Sequence, residues 1–541
     1  MAVKSPLAAS LSMALEAQSL ESAVRQRARE ARKSERATGS AASAEPRPLA
    51  AKERQAGSHN PVTQGTQAGT VNVPVEHGEI TAPGKTVASG KAADPVKATQ
   101  EGTPRGALPA LTGRVFLMLQ GPQSKFFPEL AATLISCGAK VIKLHFCGGD
   151  VLLWGRGVRG VKSLSYHGKA ALFPAFIGDL YAREGVTDLV LYSDWRPLHQ
   201  DAILIARDRG IHVWVFEEGY LRAGFVTLER DGVNGRSSLP STRDTVLKEA
   251  TDLPPFTPAP ECGETIKAKV RYAIWHHVGN TLLWPVFRHY HTHRSMNIFC
   301  ELMGILPRYL LRKRRKLRSA ITLSRFLRND GRCWFYPLQL STDSQVQLYS
   351  PYIRQEEAIT CVLSSFARCA DRGDRLLIKD HPLDNGLTPY RTFIDSAARA
   401  LGIEGRVSFV EDGNLRAILA KVRGVILINS TVGLTALLEG KPVFCLGKAI
   451  YAMEGLAATG KSEALDRFWS EGKGPERQVL SAFLKVLRSR ALVEGSFYAP
   501  AAMERVARGA VARFSAVQGA IAAYAGEKVR HTVSTVKEVS A

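Results

Sequence analysis

Aromatic residues are missing from the start of this chain. Residues 1–112 hold no Phe, Tyr or Trp, and the first aromatic is Phe116. The stretch is rich in Ala, Ser, Gly, Thr and Lys/Arg, and cannot bury enough apolar surface to offset the entropy of ordering it. A disordered extension is expected over 1–112, with at most a short charged helix at 13–36. A disulfide framework is also absent from the pattern. The eight cysteines (Cys137, Cys147, Cys262, Cys300, Cys333, Cys361, Cys369, Cys445) form no CxxC pair, and several sit in apolar runs, as reduced core thiols do. No apolar run reaches the roughly 18 residues needed to cross a bilayer, and the polar N-terminus shows no signal peptide. A cytoplasmic address is the simplest expectation. Zinc-finger spacing and RNP motifs are lacking too, so nucleic-acid binding has no module to rest on.

Positive charge, by contrast, is plentiful. The net charge is +22, and only +4 of it falls in residues 1–112. The part expected to fold is therefore strongly basic, which suits phosphorylated substrates, an anionic membrane surface or nucleic acid. With 541 residues and 45% apolar content, two or three domains with ordinary cores are expected.

Short apolar runs alternate with helical patterns from Arg114 onward. Strands are predicted at Val115–Leu119, Lys140–Phe146, Asp188–Tyr192 and His212–Phe216, and a second series runs through Arg332–Pro337, Arg375–Ile378, Arg406–Val410, Gly424–Ile428 and Pro442–Cys445. Such alternation indicates βαβ units and parallel sheets. Two Rossmann-like parallel-sheet domains facing a cleft, the GT-B plan, are expected at 113–330 and 331–505, with a C-terminal helix or tail at 506–541. Between the halves, 271–318 combines Trp275, Trp284, Phe287 and Tyr290 with a run in which six of the seven residues Arg312–Arg318 are Lys or Arg. That mixture suits a surface meeting anionic headgroups, while the bland alternative is a solvated basic helix with its aromatics in the core. The His289, His291 and His293 triplet lacks partner carboxylates or thiols, and no metal is expected.

Chemistry is expected at the carboxyl ends of the strands, where open α/β sheets bind ligands. Lys379-Asp380-His381-Pro382 ends one apolar strand; the histidine could donate to a leaving phosphate with Lys379 as added charge, though alone it would more often be structural. Asn429-Ser430-Thr431-Val432-Gly433 opens from another, as a plain helix cap or as one that also grips phosphate. Gln339 and Asp343 sit in a polar loop after a third. Asp343 could serve as nucleophile or base, or simply cap a helix. Glu217-Glu218-Gly219 follows a strand of the first half, where adjacent carboxylates can titrate unequally; a polar turn is the alternative. Gly155–Gly160 spells GxGxxG, but no helix-forming sequence follows it, so it is not a dinucleotide site.

Taken in order, VFEEGYLR at 215–222, FYPLQLSTDSQV at 335–346, LLIKDHPLD at 376–384 and INSTVGLTALLEGKPV at 428–443 resemble the capsular polysaccharide biosynthesis/export family of KpsS/LipB type. The resemblance spans roughly 113–500. It implies a retaining β-Kdo transferase, peripheral on the inner membrane, that moves Kdo from CMP-Kdo to a phosphatidylglycerol-type lipid without a cofactor. It makes Asp343 the first choice for the catalytic carboxylate, with His381, Lys379 and Pro382 of the His-Pro motif at the CMP phosphate. Gln339, Asn429, Ser430, Thr431 and Gly433 would support the nucleotide, and Glu439 would sit near the ribose. Glu217 or Glu218, with Arg222, would face the cleft from the acceptor half. Other capsule biosynthesis/export proteins would be further partners. The chain repeats no motif, which favours addition of a single Kdo. The competing readings are a non-catalytic capsule assembly or export factor and, prompted by charge alone, a nucleic-acid-binding protein.

Overall fold

A computed structural model describes residues 107–517, except for 222–223, 261, 264–265, 292–307, 309, 329–330 and 341–342. Nearly all of the expected extension (1–112), Arg222, His293, Cys300, Ser341 and Thr342 therefore lie outside the described residues. So does the tail beyond 517. Among the described residues the fold begins a little before Arg114: Leu111 is fully buried, and its N–H donates to the Cys137 carbonyl at 2.7 Å.

The first half follows from strands whose residues are apolar on both faces. In chain order its elements are β1 (Val115–Met118), α1 (Phe126–Ser136), β2 (Lys140–His145), α2 (Gly148–Trp154), β3 (Val161–Ser165), α3 (Phe173–Glu184), β4 (Asp188–Tyr192), α4 (Pro197–Asp208), β5 (His212–Glu218), β6 (Phe225–Arg230), α5 (Arg243–Glu249), α6 (Ile266–Leu282) and α7 (Arg312–Leu327). Strands β1 to β5 are parallel in the order β3-β2-β1-β4-β5, and runs such as VFLM at β1 are wholly buried because helices cover both faces. The chain then turns back, and β6 pairs antiparallel with β5. The hairpin was not evident from the sequence, and neither was β3, whose VKSLS is largely polar because it forms the sheet edge.

The second half contains β7 (Cys333–Pro337), α8 (Ser344–Tyr349), α9 (Gln355–Cys369), β8 (Arg375–Lys379), α10 (Tyr390–Ala400), β9 (Val407–Val410), α11 (Leu415–Lys421), β10 (Gly424–Leu427), α12 (Val432–Leu438), β11 (Val443–Cys445), β12 (Ala458–Thr459), α13 (Ser462–Glu471) and α14 (Arg477–Arg490). Its sheet runs β12-β11-β10-β7-β8-β9, all parallel, so the strand order reverses between β7 and β10. Each sheet is fastened at its amino ends by a buried Asp that accepts from a Trp indole and an Arg. Asp188 takes Trp214 and Arg114, and Asp374 takes Trp334 and Arg332.

One expectation needs correcting. The second half does not run on to residue 505: β13 (Leu492–Glu494) pairs antiparallel with β6, and α15 (residues 500–517) packs on the first sheet. Phe514 sits 5.3 Å from Phe116 and 4.8 Å from Trp214 between ring centroids, so an apolar face that the sequence of 113–330 leaves open is closed by the end of the chain. Pattern cannot show such a return, because β13 and α15 look like any late strand and helix.

The 271–318 segment divides in two. Helix α6 lies on α2, with Gly148 and Gly279 backbone to backbone; a Cβ at either would strike the other's carbonyl. Helix α7 turns part of its cationic run inward. Arg315 Nε donates to Glu411 Oε2 at 2.6 Å, and Arg318 adds a longer contact to the same carboxylate.

Candidate functional site

The site grows from the strand reversal in the second sheet. The chain leaves β7 at Gln339 and β10 at Asn429, and these two side chains are locked together. Gln339 Nε2 donates to Asn429 Oδ1 at 2.9 Å, and the Asn429 backbone N–H donates to Gln339 Oε1 at 3.0 Å. Asn429 Nδ2 then donates to the Gln345 carbonyl at 2.7 Å, and the Gln345 N–H donates to Asp343 Oδ1 at 2.9 Å. A continuous hydrogen-bonded strap thus joins Gln339, Asn429, Gln345 and Asp343 across the opening. Both ends of the buried Gln339 amide are engaged with Asn429, so it positions Asn429 while one N–H and one lone pair are left over. Asp343 is the N-cap of α8, so the capping alternative is realised.

Beside the strap, Ser430 Oγ accepts from the Val432 N–H, and Thr431 is the residue before α12. Gly433 has a packing reason rather than a binding one: a Cβ there would collide with the Tyr451 ring, whose hydroxyl donates to the Ser430 carbonyl. Glu439 is not brought to this place. It ends α12 at the opposite terminus from Thr431 and is exposed, about 12 Å away along the helix at 1.5 Å per residue.

On the other side of β7, His381 follows β8. Its Nδ1 accepts from the Leu383 N–H at 3.1 Å, which assigns the proton of the neutral ring to Nε2. Pro382 is exposed in the turn closed by the Asp384 N–H to the His381 carbonyl. Lys379 is buried, its Nζ donates to the Asp380 carbonyl at 3.0 Å, and burial pushes its pKa down. Sequence reasoning missed Arg308, which joins this loop from the basic segment and donates to both Asp380 (2.7 Å) and Asp384 (2.5 Å). It was hidden among cations read as a membrane face.

The first half meets the strap directly. Tyr220 and Asn234 line one pocket with Gln345, Asn429, Thr431, Lys448 and Tyr451. Its innermost space is about 20 Å³, room for about one water molecule. Tyr220 is held by a second network: its hydroxyl donates to Glu229 at 2.6 Å and accepts from the Asn234 N–H at 2.6 Å. Burial raises Glu229 to about 7.

The paired carboxylates at the end of β5 differ as the sequence suggests they can. Burial, opposed by the Glu218 N–H and reinforced by the Glu218 charge, pushes Glu217 up to about 7. Glu218 is instead tied to the Tyr498 hydroxyl (3.0 Å) and to Lys269 (3.6 Å). One carboxyl is poised near neutrality and its neighbour is engaged structurally.

A family model of capsule polysaccharide biosynthesis proteins matches residues 187–498. The chain is 31% identical over 390 residues to the capsule polysaccharide export protein KpsS of Escherichia coli, covering 72% of this chain and 98% of that protein. It is 30% identical over 398 residues to the capsule polysaccharide modification protein LipB of Neisseria meningitidis serogroup A, covering 71% and 91%. A solved structure of the beta Kdo 2,7 transferase KpsC from Thermosulfurimonas dismutans covers 73% of this chain and 99% of its own at 13% identity, with a TM-score of 0.37, a likeness too loose to bear on the reaction. The family match spans the stretches at 215–222, 335–346, 376–384 and 428–443, and with the two relatives it shows that the chain belongs to the capsule polysaccharide biosynthesis proteins of KpsS/LipB type.

Proposed function

We propose that this chain is a retaining glycosyltransferase that moves Kdo from CMP-Kdo to a phosphatidylglycerol-type lipid, beginning the lipid terminus of a capsule. The observation that carries the reading is the strap from Gln339 to Asp343 at the reversal of the second sheet, facing Tyr220 and Asn234 of the first half. In this scheme the Asp343 carboxylate attacks the anomeric carbon as the bond to CMP breaks, with His381 Nε2–H and the charge of Lys379 compensating the leaving phosphate. The acceptor hydroxyl then displaces Asp343 and gives its proton to Glu217. A base poised near the working pH is the efficient one, which favours Glu217 over Glu218. Ser430 and Thr431 contribute hydroxyls to the nucleotide, and no step calls for a cofactor.

The lipid acceptor is supported by α6. Ile274 (57% exposed), Trp275 (51%), Leu282 (70%) and, just past the helix, Trp284 (67%) are outward apolar residues, and Lys313, Arg314 and Lys316 of α7 are exposed cations. An apolar stripe with aromatic and basic residues suits the plane of an anionic bilayer. No helix among the described residues is long and apolar enough to cross one. The Escherichia coli relative is named as an export protein, which favours a second reading, that of an assembly or export factor that presents lipid-linked polymer.

Transfer from CMP-Kdo generated in situ to a fluorescent phosphatidylglycerol analogue separates the two. Product formed by wild type and lost in both Asp343→Ala and His381→Ala supports the transferase. Folded protein that binds neither CMP nor the lipid analogue productively would leave the export-factor reading standing instead.

A further inference from the structure

The first sheet also reverses its strand order, between β1 and β4, and nothing in the scheme above uses the residues around that opening except Glu217. The chain leaves β4 through Ser193, a non-glycine residue at φ +67, a conformation a serine adopts at some energetic cost and one worth relating to function. It is held there by its N–H to the Phe216 carbonyl (2.9 Å) and by His199 Nδ1 against its own carbonyl (2.8 Å). Its hydroxyl is buried and faces Glu217 without a well-aligned hydrogen bond.

Three residues on is Arg196. Its guanidinium lies over the Tyr192 ring at 5.6 Å, and its Nε and Nη1 are enclosed by protein with no hydrogen-bond acceptor. Stacking uses the face of a guanidinium and leaves its N–H edges wanting acceptors. Leaving such donors buried and unpaired is costly, and it calls for an explanation. The neighbouring charges do not supply one. Lys143 is a second buried basic group, its pKa lowered by burial, donating to the carbonyls of Leu119 and Leu144 at 2.8 Å each. Asp150 acts on Lys143, and its own Oδ2 accepts from the Phe146 N–H at 3.2 Å. The Glu217 and Arg196 charges both act on Tyr192, in opposite senses. Tyr290, whose hydroxyl donates to Gln120 at 3.2 Å, is also within electrostatic reach of Arg196.

We propose that Arg196, backed by Lys143 and three residues on from Ser193, forms an anion subsite that takes the phosphodiester of the acceptor and so presents the headgroup hydroxyl to Glu217. This rests on the transferase reading for the identity of the acceptor. Arginine suits the task because its charge is permanent and its planar edges match phosphate oxygens. The subsite lies in the first half, away from the strap at which the donor is assigned, so the two anionic groups do not compete for one cation.

The test is titration of the full chain with dihexanoyl-phosphatidylglycerol, with neutral dihexanoylglycerol, with inorganic phosphate and with CMP, for wild type and Arg196→Gln. The charged lipid is expected to bind wild type at least tenfold more tightly than Arg196→Gln, while CMP binds both alike. Equal lipid affinity in the two proteins would overturn the subsite, and so would neutral lipid binding wild type as tightly as charged lipid. Phosphate binding that depends on Arg196, without any binding of the lipid, would overturn the lipid headgroup as its source. If Arg196→Gln also loses CMP, Arg196→Lys takes its place: a several-fold weaker lipid affinity supports the subsite and wild-type affinity overturns it. Arg196-dependent lipid binding in a protein that binds no CMP would sink the transferase reading and leave the subsite standing.

Discussion

At the scale of single residues, the site depends on side chains that never need to touch a substrate. Truncating Gln339 to Ala strips Asn429 of a donor and an acceptor in a buried place. A cost of about 1–3 kcal/mol is expected for the unpaired groups, read as a lower midpoint in urea, together with weaker CMP binding as Asn429 and Gln345 shift. Gln339→Glu should be no rescue, since a carboxylate cannot donate to Asn429 Oδ1. The acid pair gives a prediction with a definite sign. Glu217 must be ionised to accept a proton, so transfer activity should fall below about pH 7, where its carboxyl is raised. Glu229, raised to about 7 as well, should leave that limb in place when changed to Gln. Its effect is on stability: a carboxyl raised from the ordinary 4.5 makes its full contribution below about 4.5 and loses it as pH climbs through 7. The melting temperature of Glu229→Gln relative to wild type should therefore rise between pH 5 and pH 8.

Elements carry the membrane question. Helix α6 can expose an apolar stripe because its opposite face is anchored by the close approach of Gly279 to Gly148 and by Asn280 Oδ1, which accepts from the Gly149 N–H at 2.7 Å. Gly279→Ala forces a methyl group into the Gly148 carbonyl, with a cost of about 1–3 kcal/mol from overpacking and a measurable drop in melting temperature. Trp275→Ser together with Trp284→Ser removes exposed side chains and should leave stability within about 0.5 kcal/mol. The same double variant should sediment less with phosphatidylglycerol vesicles, and unchanged sedimentation would count against α6 as the contact face. The cationic run of α7 has a smaller share than its composition suggests, because Arg315 and Arg318 are drawn to Glu411.

For the molecule as a whole, the return of the chain after α14 matters most. Arg513 of α15 donates to the carbonyls of Leu228 (2.6 Å), Arg490 (3.1 Å) and Leu492 (2.8 Å), tying the last helix to β6 and β13. Burial lowers its pKa to about 10 without removing the charge at neutral pH. Val506, Ala510, Val511 and Phe514 cover the Phe116 and Trp214 face of the first sheet. A chain ending at residue 498, where the family match stops, exposes that face, and insoluble expression is the expected outcome. Soluble, monodisperse protein of that length would contradict the packing.

Most strands of both halves were legible from the sequence because the central parallel strands are apolar on two faces; Val115, Lys140, Asp188 and Arg375 all open strands where the pattern puts them. The short motifs were legible for a similar reason, since ligand-facing loops at strand ends concentrate polar residues. The rest depends on contacts between residues far apart in the chain. Only the fold shows that Gln339 is engaged with Asn429, that Gly433 makes room for Tyr451, that Glu439 ends on the wrong side of α12, and that Arg308 belongs with Asp380. Only the fold separates Glu217 from Glu218, adjacent in sequence yet placed in unlike surroundings, one desolvated and the other held by Tyr498 and Lys269. Periodicity reports which face of an element is apolar; which partner covers that face, and which carboxyl loses its water, are decided in three dimensions.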